Sequence, residues 1–85
     1  MNYQVYILYS ETLDKYYVGQ TENLDQRLKP HAMKISTYTS RADDWRLVYT
    51  EVYGTRQEAL IRERAIKVKK SRSYIDWLIK RVGVV

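Results

Sequence analysis

The stretch YQVYILYSETLDKYYVGQT, residues 3–21, decides the fold. Tyr3 to Tyr9 is rich in β-branched and aromatic residues and holds neither glycine nor proline, which is the composition of a strand. SETLDK is polar and turn-like, with Asp14 and Lys15 near its tip. Tyr16 to Gln20 reads as a second strand, and so short a gap makes the pair an antiparallel hairpin. Side chains alternate along a strand, so Tyr17 and Gly19 share one face while Tyr16 and Val18 point the other way, into packing. Two adjacent tyrosines beside a glycine admit two readings. They build a small aromatic core, or they help bring two tyrosines, an arginine and a histidine to one place.

Working outward, Asn23 has the side chain to cap a helix that begins at Leu24. Leu24 and Leu28 share one helix face, and Arg27 and His31 a neighbouring one. Pro30 removes a backbone donor and clashes with the preceding turn, so this helix kinks or ends near Lys29. KISTYTSRADD, residues 34–44, has the composition of a loop. WRLVYTEVY, residues 45–53, is a third strand in which Leu47, Tyr49, Glu51 and Tyr53 alternate with Val48, Thr50 and Val52. Thr55 and Glu58 have capping-box spacing at the start of a helix whose buried positions are Ala59, Leu60, Ile66 and Val68. Glu63 lies on the flank shared by Ala59, Leu60 and Ile66. Ser73 and Asp76 can start a last helix with Ile75, Leu78, Ile79 and Val82 as its apolar stripe. The order β-β-α-β-α-α predicts an α+β architecture: a three-stranded antiparallel sheet flanked by helices.

At 85 residues the expectation is one domain over 1–85 with a thin core. There is no cysteine, which excludes a disulfide framework and a zinc–thiolate site. No stretch approaches the roughly 20 apolar residues of a membrane span, and the N-terminus lacks a basic start followed by an apolar run, so the expected location is the cytoplasm. Lys and Arg number 15 against 10 Asp and Glu, a formal +5 that attracts polyanions, of which nucleic acid is the commonest. Nine tyrosines and no phenylalanine place many aromatic sites beside polar surroundings, because a buried tyrosine hydroxyl needs a partner.

VYI at residues 5–7, YVG at 17–19, Arg27 and His31 on the first helix, and Glu63 on the second stand in an order and spacing that resemble the GIY-YIG nuclease superfamily. The chain is most similar to its small single-domain bacterial members, grouped with the UvrC-type endonuclease domain. TYT at 37–39, LVYTE at 47–51 and EALIRERAIKVKKSR at 58–72 also match their pattern, so the likeness runs from Tyr3 to about Ile79.

The resemblance implies a metal-dependent endonuclease that hydrolyses phosphodiester bonds in DNA, structure-selective or non-specific, with a place in DNA repair. It implies catalytic roles for Tyr6, Tyr17, Arg27 and His31, a motif glycine at Gly19, and Glu63 as the carboxylate that binds one Mg²⁺ or Mn²⁺. The residue types suit that chemistry. A sheet tyrosine can orient the attacking water, or act as a base if its pKa of about 10 falls by roughly three units, about 4 kcal/mol. Arg27 can present a fork to the phosphate. Glu63 is a hard oxygen ligand suited to Mg²⁺. His31 can shuttle a proton or orient a tyrosine hydroxyl, and Gly19 lets the backbone approach a ligand or a neighbouring segment. Tyr38 and Tyr49 admit both a hydroxyl near the site and simple packing.

Each residue also has a structural reading: sheet aromatics for the tyrosines, solvated Arg27 and His31, and a Glu63–Lys67 pair at i, i+4. Arg62, Arg64, Lys67, Lys69, Lys70 and Arg72 offer a phosphate-contacting surface, with Lys67, Lys69 and Lys70 as substrate-positioning residues alongside Gly19. Gln4 stands where the first motif has glycine, and no asparagine follows Asn23, where larger members carry one after the glutamate helix. The missing asparagine, Pro30 and the lack of a second domain favour the alternative of a non-catalytic nucleic-acid-binding module acting with a partner protein that supplies specificity.

Overall fold

In a computed structural model, described for residues 2–29, 39–69 and 72–83, the order β-β-α-β-α-α is observed. The elements are β1 (Tyr3–Ser10), β2 (Lys15–Thr21), α1 (Leu24–Arg27), a 3₁₀ turn (Thr39–Arg41), β3 (Arg46–Tyr53), α2 (Arg56–Lys69) and α3 (Arg72–Gly83). β1 is central in a sheet of order β2-β1-β3, antiparallel to both neighbours. Pro30, His31, Tyr38 and Lys70 lie outside the described residues.

Period-two alternation on β1 builds a core on each face of the sheet. Val5 and Ile7 pack with Val18, Tyr49, Ala59, Ile66 and Leu78 beneath the two long helices. Tyr6 and Leu8 pack with Trp45 on the opposite face, bordered by Leu13, Tyr17, Leu24 and Leu28. Tyr16 and Val18 thus join the helical core while Tyr17 turns to the other face, the division the alternation predicts. Burial on both faces is why β1 tolerates so few polar residues. Each fully buried Ile66 or Leu78 side chain contributes about 1.5–3 kcal/mol.

The hairpin is tied twice at its turn end. Asp14 takes φ 52°, a left-handed conformation that a short polar side chain tolerates. Its carboxylate accepts the Tyr9 hydroxyl at 2.7 Å and both Arg72 nitrogens at 2.6 and 2.9 Å, so the turn is fastened to the first residue of α3. Fully buried Ser10 donates to Asp44 at 2.7 Å and accepts from the Leu13 amide at 3.2 Å.

Asn23 caps α1 as its position predicts, accepting the Gln26 amide at 3.1 Å. The regular helix closes at Arg27, with Leu28 as C-cap, before Pro30 is reached.

Four expectations are corrected. The alternation on β3 is broken by a register shift: Ile7 faces Tyr49 but Leu8 faces Leu47, which makes Val48 an extra residue. Val48 and Tyr49 therefore both reach the helical core. On α2, Ala59 and Ile66 are buried, but Leu60 is 40% and Val68 75% exposed. Residues 59, 63 and 66 form the stripe over the sheet; Leu60 is about 100° round from Ala59, and Val68 about 200° from Ile66. In the capping box, Thr55 Oγ accepts the Glu58 amide at 3.2 Å and donates to the Glu58 carboxylate at 2.9 Å, so the return bond closes on the hydroxyl rather than on the Thr55 amide. Last, α3 begins at Arg72, which places Ser73 inside the helix, not before it.

Candidate active site

The β1–β2 register sets Tyr6 directly opposite Gly19, and Leu8 opposite Tyr17. Tyr6 and Tyr17 are thus diagonal neighbours on one face, with ring centroids 6.3 Å apart and planes tilted by 40°. The Tyr6 ring lies across the backbone of Gly19. A Cβ there would stand 2.6 Å from the Tyr6 hydroxyl, 2.8 Å from Tyr6 Cζ and 3.1 Å from Tyr17 Cε2. No glycine has a positive φ among the described residues, so Gly19 is required by close approach, not by backbone conformation. The neighbour that exploits the missing side chain is the tyrosine pair itself. Trp45 meets the Tyr17 ring edge-on at 6.4 Å and walls the face.

Arg27 ends α1 close enough to the Tyr6 side chain for its charge to act on the hydroxyl. The Tyr6 pKa is pushed up to about 12. Burial is the largest cause, and the neighbouring Tyr17 and the Glu63 charge act in the same direction; the Arg27 charge opposes them. Tyr6, Tyr17, Arg27 and Glu63 therefore all bear on one hydroxyl, although they come from β1, β2, α1 and α2. Tyr6 is 1% exposed, whereas Tyr17 and Arg27 keep part of their surface open. Beside Arg27, Thr21, Glu22, Asn23 and Gln26 line an open cleft of about 250 Å³.

Glu63 is placed by the buried stripe of α2, and its side chain is 15% exposed. Its Oε2 accepts Lys67 Nζ at 3.0 Å, so the expected i, i+4 pair is formed. Among the described residues no cluster of three or more His, Cys, Asp or Glu is assembled. A divalent cation here would rest on Glu63 and its own waters, a donor set suited to Mg²⁺, which takes one or two carboxylates and keeps several waters.

The basic run does not form one uncommitted surface. Arg62 is turned to Glu51, Lys67 to Glu63 and Arg72 to Asp14, while Lys69 lies 5.5 Å over the Tyr74 ring. His31 and Lys70 lie outside the described residues.

Sequence reasoning missed the network around Glu51. Its carboxylate accepts Arg62 at 2.8 and 3.1 Å, the Tyr53 hydroxyl at 2.6 Å and the Tyr49 hydroxyl. Burial works against its charge, yet these partners hold its pKa below the ordinary carboxylate range. Burial and donation to Glu51 push Tyr49 and Tyr53 up to about 12. Tyr49 is thereby assigned to structure. The signal was the Tyr-x-Glu-x-Tyr alternation on one strand face, with a cation available on the following helix.

Residues 2–75 match the family model of the GIY-YIG catalytic domain. The chain is 39% identical over 69 residues to UPF0213 protein BH0048 of Halalkalibacterium halodurans, covering 79% of this chain and 71% of that protein. The solution NMR structure of the UPF0213 protein BH0048 from Bacillus halodurans superposes with a TM-score of 0.59 at 34% identity, over 94% of this chain and 84% of that one.

Proposed function

The chain belongs to the GIY-YIG family, and from that premise we propose that it is a divalent-metal-dependent endonuclease hydrolysing phosphodiester bonds in DNA. The observation that carries the reading is the Tyr6–Tyr17 pair, 6.3 Å apart across Gly19, with the Arg27 and Glu63 charges near enough to act on the Tyr6 hydroxyl.

Water attacks phosphorus, a new P–O bond forms, the scissile P–O bond breaks as charge builds on the phosphate oxygens, and the proton the water loses is made good on the departing oxygen by way of solvent. Arg27, at the rim of the cleft, presents its guanidinium to that charge. Tyr17, with its ring partly open, orients the attacking water. Tyr6 is a fixed hydrogen-bond donor, and a base role for it would depend on the lowering that Arg27 and a bound cation supply. From about 12, loss of its proton at pH 7 would need a fall of about five units, roughly 7 kcal/mol. Gly19 keeps both rings in register. Glu63 would hold Mg²⁺ or Mn²⁺, and the ion, when bound, polarises the phosphate and stabilises the leaving oxygen.

A binding module that acts beside a partner protein is the second reading, favoured by the Lys67 ammonium already seated on Glu63. Incubation of supercoiled plasmid with Mg²⁺, Mn²⁺ or EDTA separates the two. The nuclease nicks only with metal and loses nicking in Glu63→Ala. Salt-sensitive binding without metal-dependent nicking would leave the module.

A further inference from the structure

α3 carries an aromatic ring that neither core takes in: Tyr74 packs at the edge of the helical core, but Trp77 does not. Its inner stripe, Ile75, Leu78 and Ile79, covers the helical core. Trp77 instead keeps 54% of its surface exposed. The Tyr74 and Trp77 rings lie 25° from parallel with centroids 6.0 Å apart, a stacked arrangement. Tyr74 is not loose. It packs against the helical core, and Arg62, forked onto Glu51, acts on it electrostatically. Lys69 Nζ stands 5.5 Å over the Tyr74 ring, and exposed Lys80 follows Trp77 by one helical turn. The Trp77 face, backed by the core-packed Tyr74 ring and flanked by two lysines, costs little ordering on binding.

We propose that Trp77, backed by Tyr74, forms a stacking platform for an unpaired nucleobase, with Lys69 and Lys80 contacting the adjoining phosphates. The substrate class that follows is nucleic acid with a single-stranded segment, because a base inside a duplex has both faces covered by its neighbours. The lysines and the net charge of +5 favour a polyanion over an apolar protein partner. The inference rests on the nucleic-acid reading of the protein but not on cleavage, since no residue of the platform belongs to the Tyr6–Glu63 site.

The test is binding in EDTA, where cleavage plays no part. Fluorescein-labelled oligothymidine and a duplex of equal length are titrated with the native protein, Trp77→Ala and Trp77→Phe, while sedimentation reports oligomeric state and thermal melting reports folding. The expected result is tighter binding of the single strand by the native protein, with quenching of tryptophan fluorescence. Trp77→Ala weakens that binding roughly 5- to 100-fold, the range for loss of one base stack. Duplex binding is unchanged, and Trp77→Phe recovers most of the loss. Single-strand affinity within twofold of native in folded Trp77→Ala would overturn the proposal. So would a native dimer that Trp77→Ala dissolves with binding intact, since the patch would then be a self-interface. Failure of metal-dependent nicking would instead remove the nuclease reading and leave this result standing.

Discussion

Tyr6 and Gly19 face each other across the β1–β2 ladder, and the Tyr6 hydroxyl stands 2.6 Å from the place a Gly19 side chain would take. Because Tyr6 is fully buried, its ring has no open space to retreat into. Gly19→Ala should destabilise the protein by about 1–3 kcal/mol through overpacking and displace the hydroxyl from Arg27. Urea denaturation measures the first effect. Tyr6→Phe in the same chain removes the nearest atom and should recover part of the stability, a coupling that two independent sites would not show.

Alkaline pH should unfold the protein through its tyrosines. Tyr6, Tyr16, Tyr49 and Tyr53 are all raised to about 12, largely by burial, from about 10 in the unfolded chain. A raised folded-state pKa favours the protonated form. The associated stability is therefore complete below pH about 10 and is lost as pH climbs toward 12. For buried Tyr6 alone two units correspond to roughly 2–3 kcal/mol. Tyrosinate absorbance and circular dichroism, followed together, should change in one cooperative step across that window.

Acid should act on the opposite set. Hydrogen bonds from Arg72 and Tyr9 hold Asp14 down at about 2, and those from Ser10 and Thr12 do the same for Asp44. Depressed carboxylates stabilise above their unfolded pKa of about 4 and lose that contribution as pH falls toward 2. Asp44→Asn should blunt the acid sensitivity seen in thermal melts.

Breaking the Glu51 network should cost more than breaking the exposed pair beside it. Glu51→Ala strands Arg62 and two tyrosine hydroxyls in a partly buried setting, and about 2–4 kcal/mol is the expected loss. Arg62→Lys removes the fork and should lose about half as much. By contrast Lys67→Ala, with the Lys67 side chain 50% exposed, should change stability by no more than about 1 kcal/mol.

Lys67→Ala has a second consequence, since it removes the ammonium from Glu63 Oε2. Mn²⁺ affinity measured by calorimetry should rise. If Lys67 also meets a phosphate, the salt slope of DNA binding should fall by about one.

Much of this was legible in the sequence because it is local. Alternation on β1 and β2 separates Tyr17 from Tyr16, and the Asn23 cap fixes where Arg27 ends its turn. What escaped depends on contacts between segments far apart in the chain. Nothing near Asp14 announces Arg72, and the alternation that puts Tyr49, Glu51 and Tyr53 on one face does not say which cation of the next helix turns to it. The bulge at Val48 is a property of paired strands, not of one. Leu60 and Val68 were assigned by hydrophobicity, but on a helix the 100° step decides, and only the Ala59–Ile66 stripe meets the sheet.

The central claim is that side chains from four elements act as one site on the Tyr6 hydroxyl. A double-mutant cycle with Tyr6→Phe and Arg27→Ala, read in kcat/KM for metal-dependent nicking of supercoiled DNA, tests it most directly. Groups that work as a unit are not additive, so the double variant should lose little more than the worse single variant. Losses that multiply in full, in proteins that melt as the native chain does, would mean that Tyr6 and Arg27 act separately and would contradict the account.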